Sequence, residues 1–207
     1  MTAVAAVTGA QSDAKTAWSR RVRRVGGFIQ VAFAAFWLIR GSLNIDGGIG
    51  LVLAAAFTAL VAAVLVYGIR TTTGAAPRPV SPEGKHIERA VTIATVVQLA
   101  ASFAAPAIVV AAGRSDWLLP SIAVTIGPLL LWLDHRVEVP RFRPAGWALI
   151  AGPLLLIALM SGTALAATTG IASGAILLGI ASAGFHDLSP KRPGGVIGRV
   201  APAGVHR

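Results

Sequence analysis

The sequence predicts an all-α fold, an integral membrane bundle of six transmembrane helices with both ends of the chain on the cytoplasmic side. Three observations carry that reading: long apolar runs, an alternation of basic residues between them, and aromatic residues at the ends of the runs.

Of the 207 residues, 55% are hydrophobic and 13% charged, and the mean hydropathy is +0.74. A soluble domain carries about 25% charged residues, so the polar side chains here are too few to cover the apolar ones. A bilayer is the solvent that fits. The runs have neither a seven-residue nor a two-residue period, which excludes a coiled coil and a transmembrane barrel. A net charge of +10 would suggest nucleic acid as a partner of a soluble protein. Here the basic residues lie between apolar runs, so the expected partners are the bilayer and its anionic lipids, and no nucleic acid. Absence of cysteine removes disulfides, thiolate nucleophiles and Cys-ligated metals. Arg outnumbers Lys fifteen to three, a GC-rich bias that points to a bacterial plasma (inner) membrane.

Residues 1–24 form a basic cytoplasmic tail, 25–185 the transmembrane domain and 186–207 a second cytoplasmic tail. The first span, about 25–45, starts at Val25. It extends past Ile39 because fifteen residues at about 1.5 Å each fall short of a ~30 Å hydrocarbon core. Its long polar lead and the lack of a small-x-small site after it argue for a retained helix and against a signal peptide. The further spans are about 49–69, 90–112, 117–133, 147–167 and 169–185. Ser81-Pro82-Glu83 has the pattern of a helix start, with an N-cap, a first-turn proline and an acid at the positive dipole end. Ala167-Thr168-Thr169-Gly170 is the expected turn between the last two spans.

With Arg40 counted at the outer end of the first span, the alternating segments carry five, one, four, one, three, none and four basic residues from N- to C-terminus, so sixteen of eighteen fall on one side. Cytoplasmic loops collect Lys and Arg, which sets both termini inside. Trp37, Trp117, Trp132, Trp147 and Tyr67 fall at span ends, where amphipathic rings favour the headgroup level.

Small residues four apart let membrane helices approach closely. Three such stripes are expected to be packing seams: Ala55/Ala59/Ala63, Ala158/Gly162/Ala166 and Ala175/Gly179/Ala183. Pro106, Pro120, Pro128 and Pro153 lie in or at the ends of spans and remove backbone donors. Gly127-Pro128-Leu-Leu-Leu recurs as Gly152-Pro153-Leu-Leu-Leu, a pattern that suits broken helices around a transported solute as well as prolines simply tolerated in a membrane.

No ionisable residue stands at the middle of a span, which disfavours a proton-driven carboxylate relay. The polar residues within the spans are mild, among them Gln30, Thr58, Thr95, Gln98, Ser102, Thr125, Ser161 and Ser173. Gln30 and Gln98, with Arg40 at the outer end of the first span, are the substrate-binding candidates. Helix-to-helix hydrogen bonding is the plainer role for the two amides. At the cytoplasmic face Asp134-His135, with Glu138, and His186-Asp187 are the catalytic candidates, provided their helix ends meet. Their spacing matches no metal motif, and neither metal nor cofactor is predicted. Glu83, His86 and Glu88 read as solvation of a helix start.

Ala172-Ser173-Gly174-Ala175 resembles the serine motif of rhomboid intramembrane proteases. Ile171 replaces that family's Gly, and no later helix carries a His base, so the activity is not carried over. Over about Ala105–Pro140, the Pro106 helix, the Arg114/Asp116 turn, Pro120, Gly127 and the basic loop ending in Pro140 are similar to uncharacterised small polytopic bacterial membrane proteins. Those proteins tend to carry His two residues after the Gly, where this chain has Leu129. The resemblance implies a six-helix bundle and no activity.

Three roles fit the sequence. The leading one is transport-associated or permease-like, for a small solute or lipid. The alternatives are a membrane-embedded enzyme acting on a lipid or isoprenoid at the cytoplasmic face, and a scaffold or accessory subunit. The sequence leans against an enzyme.

Overall fold

The computed structural model describes residues 24–72, 82–137 and 141–188. They form α1 (Arg24–Ser42), α2 (Gly48–Thr71), α3 (Pro82–Ala111), α4 (Leu118–Val137), α5 (Phe142–Leu159) and α6 (Gly162–Leu188), with a 3₁₀ turn at Ser115–Trp117 leading into α4. Each helix contains a segment long and apolar enough to cross a bilayer. The two tails, residues 73–81 with the Ser81 cap, and Glu138 lie outside the described residues, as do the side chains of Glu83, His86 and Glu88.

The α6 helix is central, packed against α2, α4 and α5 and, through glycines, against α1. The α3 helix packs on α4 at the outside. Core side chains come from α1 (Trp37, Leu38), α4 (Ala123, Leu130), α5 (Leu149) and α6 (Leu177, Phe185). Three pairings make α1 and α6 antiparallel: Gly27 with Phe185, Leu38 with Gly174, and Gly41 with Gly170. Phe28 and Phe185 ring centroids stand 5.0 Å apart, so the described chain ends, Arg24 and Leu188, reach the same end of the bundle.

Only 6% of the spanning windows of α2 and α3 is buried. Their surfaces present Leu51, Val52, Ile69, Val96, Leu99, Phe103 and Ile108. A continuous apolar surface of that kind is untenable in water and ordinary against lipid tails. The protein is therefore a multi-pass integral membrane protein embedded through its apolar helices.

The connections follow local backbone chemistry. Gly113, at φ 73°, ends α3: Arg114 N–H donates to Val109 O and Gly113 N–H to Val110 O, both at 2.9 Å, which is a Schellman closure. The Arg114 guanidinium lies 4.1 Å over the Trp117 ring.

Between α5 and α6 the structure corrects the sequence reading. The turn is at Met160-Ser161, with Met160 extended and Gly162 at φ 61°, and the chain is helical from Gly162 through Leu188. Thr169 and Gly170, read as turn residues, are buried mid-helix. They are small or polar because α1 crosses there. Ser161, read as lying within a span, belongs to the turn.

The predicted seams are corrected too. Ala55, Ala59 and Ala63 are all exposed, as are Ala175 and Gly179, and nothing lies within 4 Å of a Cβ placed on Gly179. The stripe at Ala158/Gly162/Ala166 is cut by the turn. Close approach occurs instead at Gly41 with Gly170 and at Gly127 with Gly146. Trp37 is another correction: it is 0% exposed, a core residue that does not face the headgroups. Trp147, at 56%, faces outward.

Candidate functional site

An open groove of about 780 Å³ runs between α3 and α4, lined by Ile93, Val97, Gln98, Thr125, Pro128 and Trp132 among others. That volume is within the ~300–1,000 Å³ of small-molecule sites. Its lining covers Ile93–Ala101 on α3 and Val124–Trp132 on α4. Eight residues of helix rise make the groove about 12 Å long.

One end of the groove is polar. Gln98 Nε2 donates to Ser102 Oγ at 2.9 Å and to Thr125 Oγ1 at 3.1 Å, and the two hydroxyls are 3.3 Å apart. Thr125 Oγ1 in turn donates to Ile122 O at 2.7 Å. The hydroxyls are thereby consumed, while one end of the Gln98 carboxamide stays without a hydrogen bond among the described residues. Because the Thr125 hydroxyl hydrogen goes to Ile122 O, its oxygen meets Gln98 as an acceptor, which sets Nε2 toward the cluster and leaves Oε1 as the open end. Thr125 is the central residue of the spanning segment Ser115–His135, and Gln98 and Ser102 flank the centre of Val91–Ala111. The cluster is thus at mid-span, with the groove leading from it toward Trp132.

Prolines shape the same place. Both α3 and α4 run unbroken through Pro106 and Pro128. Lacking an amide hydrogen, Pro128 gives the Val124 carbonyl no regular i+4 partner, and Pro106 withholds one from Ser102. The Gly-Pro recurrence is not a structural repeat: Gly127 packs against Gly146 O and Ile150, whereas nothing lies within 4 Å of a Cβ on Gly152. Pro128 is exposed and Pro153 buried.

The other substrate-binding candidates stand apart from this cluster. Gln30, on α1, is half-buried and makes no hydrogen bond among the described residues. Arg40 is exposed near the end of α1, its carbonyl accepting from Asn44 Nδ2 at 2.7 Å.

The catalytic candidates do come to one end of the bundle. Antiparallel packing brings the α4 C-terminus, the α5 N-terminus and the α6 C-terminus together, and Arg141 forms an ion pair with Asp187. Asp134, His135 and His186 make no hydrogen bond or ion pair among the described residues. No group of three or more His, Asp or Glu able to hold a metal occurs among them either.

Sequence reasoning missed Ser102 and Thr125 as partners of Gln98. Their helical spacings say nothing about which helix faces which. It also missed three buried polar atoms without hydrogen-bond partners among the described residues, Trp37 Nε1, Arg141 Nη1 and Thr169 Oγ1. Ser173, on the same face as Thr169, is 2% exposed and takes no hydrogen bond among the described residues.

Searches against protein-family models, curated proteins and solved structures return no match to this chain.

Proposed function

We propose that the protein binds and moves a lipid or another small apolar solute within the bilayer, in a permease-like or transport-associated role, with the α3–α4 groove as its binding site. One observation supports this reading above all: the groove is open along an apolar side and ends at a mid-span hydrogen-bonding cluster that includes Gln98. A surface meant only for lipid packing has no need of three polar side chains at the bilayer centre, where each carries a desolvation cost. The arrangement suits a ligand that enters sideways from the membrane. We place both termini in the cytoplasm on the strength of the sixteen-of-eighteen basic-residue bias, and the cell as bacterial on the excess of Arg over Lys.

Transbilayer movement of fluorescent short-chain lipids tests the reading. Vesicles containing the purified protein are expected to exchange label between leaflets faster than empty vesicles, and Gln98→Leu to reduce the excess. Rates equal to those of empty vesicles across neutral and charged lipids would sink it.

A further inference from the structure

Resting on that reading of the groove, we infer that its ligand is a neutral long-chain alcohol, with the hydroxyl bound at Gln98 and the chain lying toward Trp132. Three features lead there. No charged side chain lines the groove, and its polar end is at the centre of the spanning segments. A phosphate or carboxylate brought to that depth would lose its hydration with no cation to replace it. A hydroxyl comes to the same depth at far smaller cost.

The free hydrogen-bonding capacity then selects among neutral heads. With Nε2 given to Ser102 and Thr125, the open end of the Gln98 amide is Oε1, an acceptor that takes a donor from the ligand. Ester, ether and quinone heads only accept, so they leave Gln98 Oε1 unfilled. An alcohol donates its O–H to Gln98 Oε1 and so fills it. The rest of the groove, about 10 Å of helix rise from Thr125 to Trp132, takes the apolar chain, which passes Val97 and Leu129 and ends beside Trp132.

Quenching of Trp132 fluorescence by chain-brominated probes reads occupancy directly. Reconstituted protein and its Trp132→Phe variant are titrated with a brominated long-chain alcohol, and the difference between them is the Trp132 signal. Trp147, outward-facing on α5, reports probe merely dissolved in the bilayer. The alcohol is expected to quench Trp132 at lower concentrations than it quenches Trp147, and the methyl ether of the same chain to need roughly tenfold more, the worth of one hydrogen bond. Gln98→Leu is expected to erase the difference between alcohol and ether while leaving chain binding intact. Equal potency of alcohol and ether would overturn the hydroxyl assignment and leave the groove as a chain-binding site. Trp132 quenching no stronger than that of Trp147 with either probe would overturn both.

Discussion

Gly41 and Gly170 stand face to face where α1 crosses α6, so close that a Cβ on Gly170 would lie 2.5 Å from Gly41 Cα and 3.0 Å from Trp37 O. The obstructing atoms are backbone, which no rotamer change can move aside. Gly170→Ala must therefore separate the helices, at a cost of about 1–3 kcal/mol for an overpacked contact. Unfolding in mixed detergent micelles measures it. Wild-type stability would show that the two helices do not meet here.

Gly179 supplies the contrast on the same helix. It is exposed, with open space where its Cβ would be, and Gly→Ala in a helix gains up to about 1 kcal/mol from propensity alone. Gly179→Ala is expected to be neutral or slightly stabilising in the same assay. A loss comparable to that of Gly170→Ala would mean that the exposed stripe contacts something besides lipid.

These two glycines also show what the sequence could and could not convey. Six spans were legible because hydropathy is additive along the chain and needs no knowledge of neighbours. Packing faces were not: Ala175/Gly179/Ala183 and Gly170/Gly174 are equally small, and in a membrane no polar-apolar contrast marks the inward side. The α5–α6 turn failed for a related reason. Thr168-Thr169-Gly170 has turn-like composition, yet Thr169 and Gly170 are buried at the α1 crossing, while the true turn at Met160-Ser161 is nearly as apolar as its flanks. Gln98 was recognisable as an intramembrane amide, but its pairing with Ser102 and Thr125 depends on the rotation of α3 against α4.

Thr169 Oγ1 is fully buried without a partner, unlike Ser42 and Ser182, whose hydroxyls bond back to Leu38 O and Leu178 O. Valine has nearly the same shape and no hydroxyl. Thr169→Val is expected to be neutral or to stabilise by up to about 1 kcal/mol, since a buried unsatisfied group is removed. Destabilisation by more than that in detergent unfolding would show that the hydroxyl holds a partner, a bound water included.

Arg141 and Asp187 tie the start of α5 to the end of α6, with side chains 32% and 26% exposed. Partial exposure keeps the pair's coupling to about 1 kcal/mol or less. A double-mutant cycle with Arg141→Ala and Asp187→Ala should yield that coupling at low salt and a smaller one at high salt. A coupling indistinguishable from zero at low salt would show that this pair does not hold the two helix ends together.

Orientation is testable because the chain has no cysteine, so a single introduced thiol reports one position. Ser42 would be a poor choice: it is 0% exposed and its hydroxyl bonds to Leu38 O at 2.7 Å. Asp46 and Ser115 are exposed at one end of the bundle, and His135 and His186 at the other. With the basic-rich end in the cytoplasm, Asp46→Cys and Ser115→Cys are expected to react with an impermeant maleimide added to intact cells. His135→Cys and His186→Cys should react only after the membrane is opened. The reverse pattern would invert the protein in the bilayer and turn the Trp132 end of the groove outward, and labelling of only one member of either pair would break the six-span count.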